Sequence, residues 1–562
     1  MNGNIVININ EDVLERDEVF GTGEGPYGNK ASGVKLLEQR DDLDAMALMV
    51  FGAGHGKDTE VWGSSTVNVN YGYAFQVLGG GEEGMVGRPQ GPSDEEDGTY
   101  DSETKSYTTN GKLYRYDPRY STIVNLNGTL TASDNETRID RMAETEYIYG
   151  AGKEGDVCGN SYVYLGKGRI YDAFAGACEA NILGHTEVYI GRQRNTDGTL
   201  KDGFPWVQDI VYGGNDFSGT IFGNYEDGYN FMKRLRNASD QESLHGTPRS
   251  GNPGVLKSST YVEYDLGRVD TIFGGHYAFY NYASEEYEGY EMPYMENSFV
   301  NIRPKHHDSN HITAVFGGGT GYPKNRGGDE SQDHSYVLID IPDEEDEFTT
   351  TEVFGAGSYN GLGMRYPKVE TFASGFNRDL CSAIIDLLHG EIGDVYGGSF
   401  NEGVTARTVV NVPDVSTIKV KNIFGGSYGT QILPPCDVIQ AIVNYNNTGE
   451  GARVTGNLYG GNNNERRSLF TQVNISSPVW SDKDKGYLAK VYGAGHGIDT
   501  WSEHTLVNLL SGAKVYEAYG GGEMGHVLNA ESVQRYMHLY KDGPSDQISA
   551  QDPYWNDPDK WT

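Results

Sequence analysis

Val50-Phe51-Gly52-Ala53-Gly54 is one copy of a five-residue phrase that decides how this chain folds. Fourteen copies occur, with aromatic positions at Phe20, Phe51, Tyr149, Phe174, Tyr212, Phe273, Phe316, Phe354, Tyr396, Phe424, Tyr459, Tyr492 and Tyr519, and with Leu78 standing in once. The residue before is aliphatic, falling to Ala at Ala173 and Ala518, and the residue after is Gly except at Ala175. An aliphatic-aromatic pair that ends in small residues is too short for a helix and has no 3.6-residue period. It suits a strand that stops at a tight corner, where Gly accepts positive φ and lets the next backbone pass close by. A unit this small has no core of its own, so its copies must stack.

A second short strand with period two usually precedes each phrase, as in Val67-Asn68-Val69, Val124-Asn125-Leu126, Val410-Asn411-Val412 and Val473-Asn474-Ile475. Alternation puts the aliphatic residues on one face and the middle residue on the other. That middle place is Asn at Asn8, Asn68, Asn125, Asn301, Asn411, Asn444, Asn474 and Asn508. Stacked in register, these amides would form a hydrogen-bonded column with a structural role.

The shortest intervals between phrases are 25, 27 and 28 residues, enough for two or three short strands and their corners. The expected fold class is therefore all-β: a parallel β-helix (β-solenoid) of about fourteen rungs with loop insertions. At a strand spacing of about 4.8 Å, such a rod is roughly 65 Å long. A β-propeller is the main competitor, but it demands more even spacing and four strands per blade. The expected organisation is one continuous solenoid over 1–541, with insertions at about 82–120, 222–259, 277–298 and 320–333, then a polar tail at 542–562.

The 562 residues include 77 Gly and 40 Tyr, a strand-and-corner composition. Eighty acidic residues against 44 basic ones leave a net charge of −36, which repels phosphate backbones and anionic membranes, so nucleic acid is excluded as a natural partner. No apolar run approaches a membrane span. The N-terminus lacks a basic-then-apolar signal segment and leads straight into Ile5-Val6-Ile7-Asn8-Ile9, so the chain reads as a mature or excised portion. Four cysteines are too few for a disulfide scaffold. Cys158 and Cys178 lie near successive phrases, which leaves both a bridge and two free buried thiols open.

Binding is expected on the insertions, because loops on a rigid scaffold carry it. The acidic run Asp94 to Asp97 marks an exposed loop, and Asn110-Gly111 between strand-forming residues signals a projecting hairpin. Tyr229 to Arg236 reads as a short helix. The most unusual loop holds Tyr277, Tyr280, Tyr282, Tyr287, Tyr290 and Tyr294 among Glu285, Glu286, Glu288 and Glu291. Flat amphipathic rings beside carboxylates suit sugar faces and hydroxyls, and Tyr is also a common anchor at protein interfaces. The alternative is that these rings cover the flank of the solenoid.

No cofactor is expected. Ca²⁺ is the one candidate, at the acidic runs Asp94 to Asp97 and Asp343 to Glu347, although neither has EF-hand spacing and solvated loops are the simpler reading. Two near-duplicate passages, Gly52-Ala53-Gly54-His55-Gly56-Lys57-Asp58-Thr59 and Gly493-Ala494-Gly495-His496-Gly497-Ile498-Asp499-Thr500, share the spacing of a calcium-binding nonapeptide repeat. They are not tandem, and a common structural turn explains both. No Gly-x-Ser-x-Gly elbow, His-Glu-x-x-His helix or phosphate-binding loop occurs, and no catalytic residue is assigned.

The repeated Val-Phe-Gly-Gly-Gly and Val-Tyr-Gly-Ala-Gly type phrases, with Val-Asn-Ile strands between them, resemble the large parallel β-helix surface proteins of gut Bacteroidota, often described as adhesin-like. The resemblance spans residues 5–526 and is architectural. It implies export, an extracellular or cell-surface location, and adhesion to a glycan or to a host or bacterial surface protein. Two other readings stand beside it: a polysaccharide lyase or glycoside hydrolase, and a structural spacer of a longer surface protein.

Overall fold

The computed structural model describes residues 4–9, 46–128, 143–223, 259–277, 293–320, 332–341, 349–358, 362, 383–429, 438–447 and 453–528, apart from single positions 102, 196, 306, 308, 402, 404 and 483. The fold is all-β: one 3₁₀ turn, Pro118–Tyr120, and no α-helix occur among these residues. The chain divides into two compact units, Met1–Gln241 with Thr247–Val315, and Glu242–Gly246 with Phe316–Thr562.

In the first unit the Asn-bearing strands form one parallel ladder. Ile5–Ile9, Ser65–Val69, Thr122–Asn127, the first half of Ser161–Phe174, Thr186–Ile190, Thr260–Tyr264 and the second half of Tyr294–Ile302 pair in chain order. The strands ending in the phrase form a second ladder, in which Phe51, Leu78, Tyr149, Phe174, Tyr212 and Phe273 are register partners. A third, short ladder joins Val61, Val86, Val157, Ile182, Ile221 and Met295. Each ladder is parallel and in register because the same apolar pattern returns with each repeat. A one-residue slip would move every aliphatic side chain to the wrong face.

The second unit repeats the scheme. Val337, Ile385, Val410, Val443, Val473 and Val507 align in the Asn ladder. Phe354, Tyr396, Phe424, Tyr459, Tyr492 and Tyr519 align in the aromatic ladder. Their rings stack at 4.6–5.1 Å between centroids, nearly coplanar at 4–12°. Each pair of this kind contributes about 0.5–1.5 kcal/mol beyond its buried area. The aliphatic partners, such as Ile148, Val211, Val395 and Val491, are completely buried.

The corner glycines act by absence of a side chain and not by backbone conformation. None of Gly52, Gly79, Gly150, Gly213, Gly355, Gly397, Gly425 or Gly493 has positive φ, contrary to the expectation from sequence. A Cβ at each would instead overlap the carbonyl oxygen at the same corner of the next repeat, as at Gly355 against Gly397 and Gly493 against Gly520. A recurring hydroxyl completes the corner. Ser161, Thr260, Ser335, Thr408 and Thr505 donate to the corner carbonyls of Ala175, Gly274, Gly355, Gly425 and Gly520 at 2.5–2.7 Å.

The Asn column forms wherever Asn meets Asn in register. Nδ2 of Asn68 donates to Asn8 Oδ1 at 2.8 Å and Nδ2 of Asn125 to Asn68 Oδ1 at 2.7 Å. In the second unit Asn508, Asn474 and Asn444 donate in turn to Asn474, Asn444 and Asn411 at 2.7–2.9 Å, and Asn411 donates to Asp386 at 2.8 Å. Asn301 instead reaches the Tyr261 hydroxyl at 3.4 Å, because its register partner is Glu263.

The insertion at 82–120 carries a four-stranded antiparallel sheet. Its hairpin, Ser106–Thr109 and Lys112–Arg115, turns at Asn110 and Gly111, both with positive φ as a type I′ turn requires. The hairpin does not project as expected: Tyr107 and Tyr114 are buried in one cluster with Val86, Val157 and Ile182, so it lies over the short ladder. Lys112 and Tyr114 bind Glu60 at 2.7 and 3.1 Å and fasten it there.

Candidate functional site

Of the six loop tyrosines singled out in the sequence, Tyr280, Tyr282, Tyr287 and Tyr290 lie outside the described residues, as do Glu285, Glu286, Glu288 and Glu291. Tyr277 is half-buried in a wall. Its ring meets Tyr212 at 5.4 Å and Phe174 and Phe217 at 6.4 Å, covering the flank of the aromatic ladder. Tyr294 begins the strand Tyr294–Ile302 and pairs with Thr220. The helix expected at Tyr229 to Arg236, the acidic run at Asp343, and Cys381 and Cys436 also lie outside the described residues.

Other expectations fall on described ground. Cys158 and Cys178 are both free and buried. Asp94 to Asp97 are solvent-exposed, with Asp97 accepting a bond from Gly111 N at 3.0 Å. The two duplicated passages are one structural turn: Thr59 and Thr500 donate to Gly56 O and Gly497 O, each at 2.7 Å. In both, the His faces a Glu one repeat on, His55 with Glu82 and His496 with Glu523. Among the described residues no group of three or more His, Cys, Asp or Glu is placed to hold a metal ion.

A candidate site lies elsewhere, on the outward face of the aromatic ladder of the first unit. The first four of these strands turn two consecutive side chains outward just before the buried pair, and the pairing skips one residue there. Thr145 pairs with Ile170 and Tyr147 with Asp172, leaving Glu146 and Tyr171 out of the ladder. The interruption recurs in register against the preceding strand, where Thr145 pairs with Ala74 and Tyr147 with Gln76. The strands Met46–Phe51, Gly72–Leu78, Ala143–Tyr149 and Ser161–Phe174 therefore present a two-residue outward step at the same place, and the next repeat has one residue more there.

Those steps carry rings and carboxylates. Tyr171, on its step, is 39% exposed, and Trp206, ahead of the step and level with Arg169, is 44% exposed, both high for aromatic side chains in a packed sheet. Tyr147 stands between Phe75 and Tyr171, edge-to-face with each at 5.6 and 6.3 Å. The Arg268 guanidinium lies over Trp206 at 5.9 Å. Glu146, Asp172, Asp209 and Asp270 follow one another on four successive repeats of the same face. Tyr73 donates its hydroxyl to Glu146 at 3.3 Å, Ile210 N donates to Asp172 at 3.0 Å, and Thr313 donates to Asp270 at 2.8 Å. None of the four carboxylates is paired with a cation among the described residues; Arg169, on the same strand as Asp172, is held by Glu144 at 2.6 Å.

Burial, with Asp209 and Glu146 nearby, pushes the Asp172 carboxyl up to about 7 despite the bond from Ile210. Asp209 is raised as well, by burial first and then by Asp270, while its bond from the Tyr171 hydroxyl acts the other way. Chemically the face offers ring surfaces for apolar C–H groups and oxygens that accept hydroxyl hydrogen bonds. Sequence reasoning missed it because the outward positions follow no repeat pattern; the cue was the pair Tyr171-Asp172 two residues ahead of a phrase.

Comparison with known proteins finds no family model, no curated protein and no solved structure that matches this chain.

Proposed function

We propose that this chain is a non-enzymatic, secreted or surface-displayed parallel β-helix that adheres to glycans. The two parallel ladders of each unit, and the short third one of the first, support the β-helix reading. The observation that carries the adhesive reading is the exposed Tyr171 ring, set beside Tyr147 and flanked by Glu146, Asp172 and Asp209, with the exposed Trp206 ring level with Arg169 on the same face. Rings on a rigid sheet lose little freedom on binding, so their contact area counts toward affinity. Changing Tyr171 and Trp206 together to Ala removes ring contacts and leaves the buried ladder intact. The expected result is loss of signal across a glycan array with an unchanged circular dichroism spectrum. Undiminished glycan binding by that variant would refute the assignment of the site.

A carbohydrate-active enzyme is the second reading, and one observation favours it: two neighbouring carboxyls, Asp172 and Asp209, are both held above the ordinary range. A raised carboxyl is what a general acid needs. Release of new reducing or unsaturated ends from a polysaccharide, abolished by Asp172→Asn, would favour that reading. A structural spacer predicts neither binding nor release.

A further inference from the structure

We propose that the ligand of this face is a linear glycan without acidic groups, laid along the stacking direction and held by at least three successive repeats. The inference rests on the adhesive reading above and adds the ligand's shape and charge.

Shape follows from register. The outward steps recur at the parallel-strand spacing of about 4.8 Å, close to the advance of one pyranose along an extended chain. Phe75, Tyr147 and Tyr171 belong to three consecutive strands of the aromatic ladder, and their centroids are separated by 5.6 and 6.3 Å. The rings alternate between two adjacent register positions, Tyr147 lying level with Gln76 and Asp172, and this zigzag of one ring per repeat along the stacking direction matches a polymer with one sugar per repeat. A lone terminal sugar would touch one ring and leave the other two unused.

Charge follows from the unpaired carboxylates. Glu146, Asp209 and Asp270 lie on the same face with Asp172, itself raised toward neutrality, among them, and the cations of the face are already engaged, Arg169 with Glu144 and Arg268 over Trp206. Each carboxylate accepts hydrogen bonds from sugar hydroxyls. A uronate, sulfate or sialate beside them places like charges together on a partly desolvated surface, which disfavours binding. The net charge of −36 adds a repulsion that reaches any polyanion before contact.

Affinity gel electrophoresis of the full chain tests the proposal with named polymers: linear mannan, linear β-glucan and xylan as neutral probes, polygalacturonate and dextran sulfate as acidic ones. Retardation by at least one neutral polymer and by neither acidic one is expected. For oligomers of the retarding polymer, calorimetry should show affinity rising at least about tenfold from the monosaccharide to the tetrasaccharide and levelling beyond. Tyr147→Ala, which removes the middle ring, should abolish the gain between the disaccharide and the tetrasaccharide. Retardation by polygalacturonate or dextran sulfate overturns the charge assignment and leaves glycan adhesion standing. Equal affinity for monosaccharide and tetrasaccharide overturns the extended mode. Retardation by no polymer at all overturns this inference together with the adhesive reading.

Discussion

Gly397 and Gly520 occupy the same place in the phrase, yet alanine should act on them in opposite ways. At Gly397 the added methyl overlaps the Gly425 carbonyl oxygen and lies 2.9 Å from Thr408 Cβ. That oxygen is the acceptor of the Thr408 hydroxyl at 2.6 Å, so relief of the overlap disturbs the bond that closes the corner. Overpacking of this kind costs about 1–3 kcal/mol, and loss of a buried hydrogen bond adds about 0.5–1.5 kcal/mol. Gly397→Ala should therefore lower stability by about 2–4 kcal/mol. At Gly520 no described residue lies within 4 Å of the added methyl, and the residue has no positive φ. Gly520→Ala should stay within about 0.5 kcal/mol of the parent. Ala175, fully buried at the equivalent place, shows that one repeat is built around a methyl, so the lower end of the Gly397 range is the safer expectation. Urea unfolding followed by circular dichroism reads the difference, with the m-value checked because stacked repeats can unfold in stages. Equal shifts of the midpoint in the two variants would refute close approach as the reason for glycine at the corner.

Two further outcomes follow from the same structure. Asn444→Ala removes one bond to Asn411 and one from Asn474, and should cost about 1–3 kcal/mol in urea unfolding, whereas the single change Asn508→Ala at the end of the described column should cost about half as much. Asp172 titrates at about 7 in the folded chain, above its ordinary 3.8, so the folded state holds this proton more tightly than the unfolded one. Its contribution to stability is complete below about pH 4 and is lost as pH rises to about 7. Asp172→Asn should flatten the fall of the unfolding midpoint across that window, and an unchanged slope would contradict the account.

How far the sequence can be read depends on what repeats. The phrase told of parallel strands ending at corners because its aliphatic-aromatic pair must be buried in every repeat, and Val395-Tyr396 and Ile423-Phe424 are placed so. The Asn column was legible at Asn68, Asn125, Asn444 and Asn474, where the partner in register is another Asn, and failed at Asn301, where it is Glu263. The reason for glycine was read half correctly: close approach holds and positive φ does not. The Ser or Thr two residues ahead of the ladder Val, as in Ser161-Tyr162-Val163 and Thr408-Val409-Val410, was a visible signal whose meaning depends on a corner in the same repeat. The short ladder through Val157 and Ile182 left no pattern, because single bridges impose no alternation. The candidate site was illegible for a related reason. Outward positions are free to vary, so only the pairing of neighbouring strands shows that Phe75, Tyr147 and Tyr171 meet on one face, alternating between two adjacent register positions.

The central claim is that bare corners let parallel repeats lie in register one strand spacing apart. Glu391 and Lys419 are register partners with exposed side chains joined at 3.4 Å, whereas Lys421 is two residues further along the same strand. Disulfides form readily when Cα atoms are about 4.4–6.8 Å apart and not beyond about 7 Å. Peptide mapping after mild oxidation should find a 391–419 cross-link in the Glu391→Cys, Lys419→Cys double variant and none between 391 and 421 in the Glu391→Cys, Lys421→Cys variant. Cross-linking of the second pair in preference to the first would contradict the register on which every other statement stands.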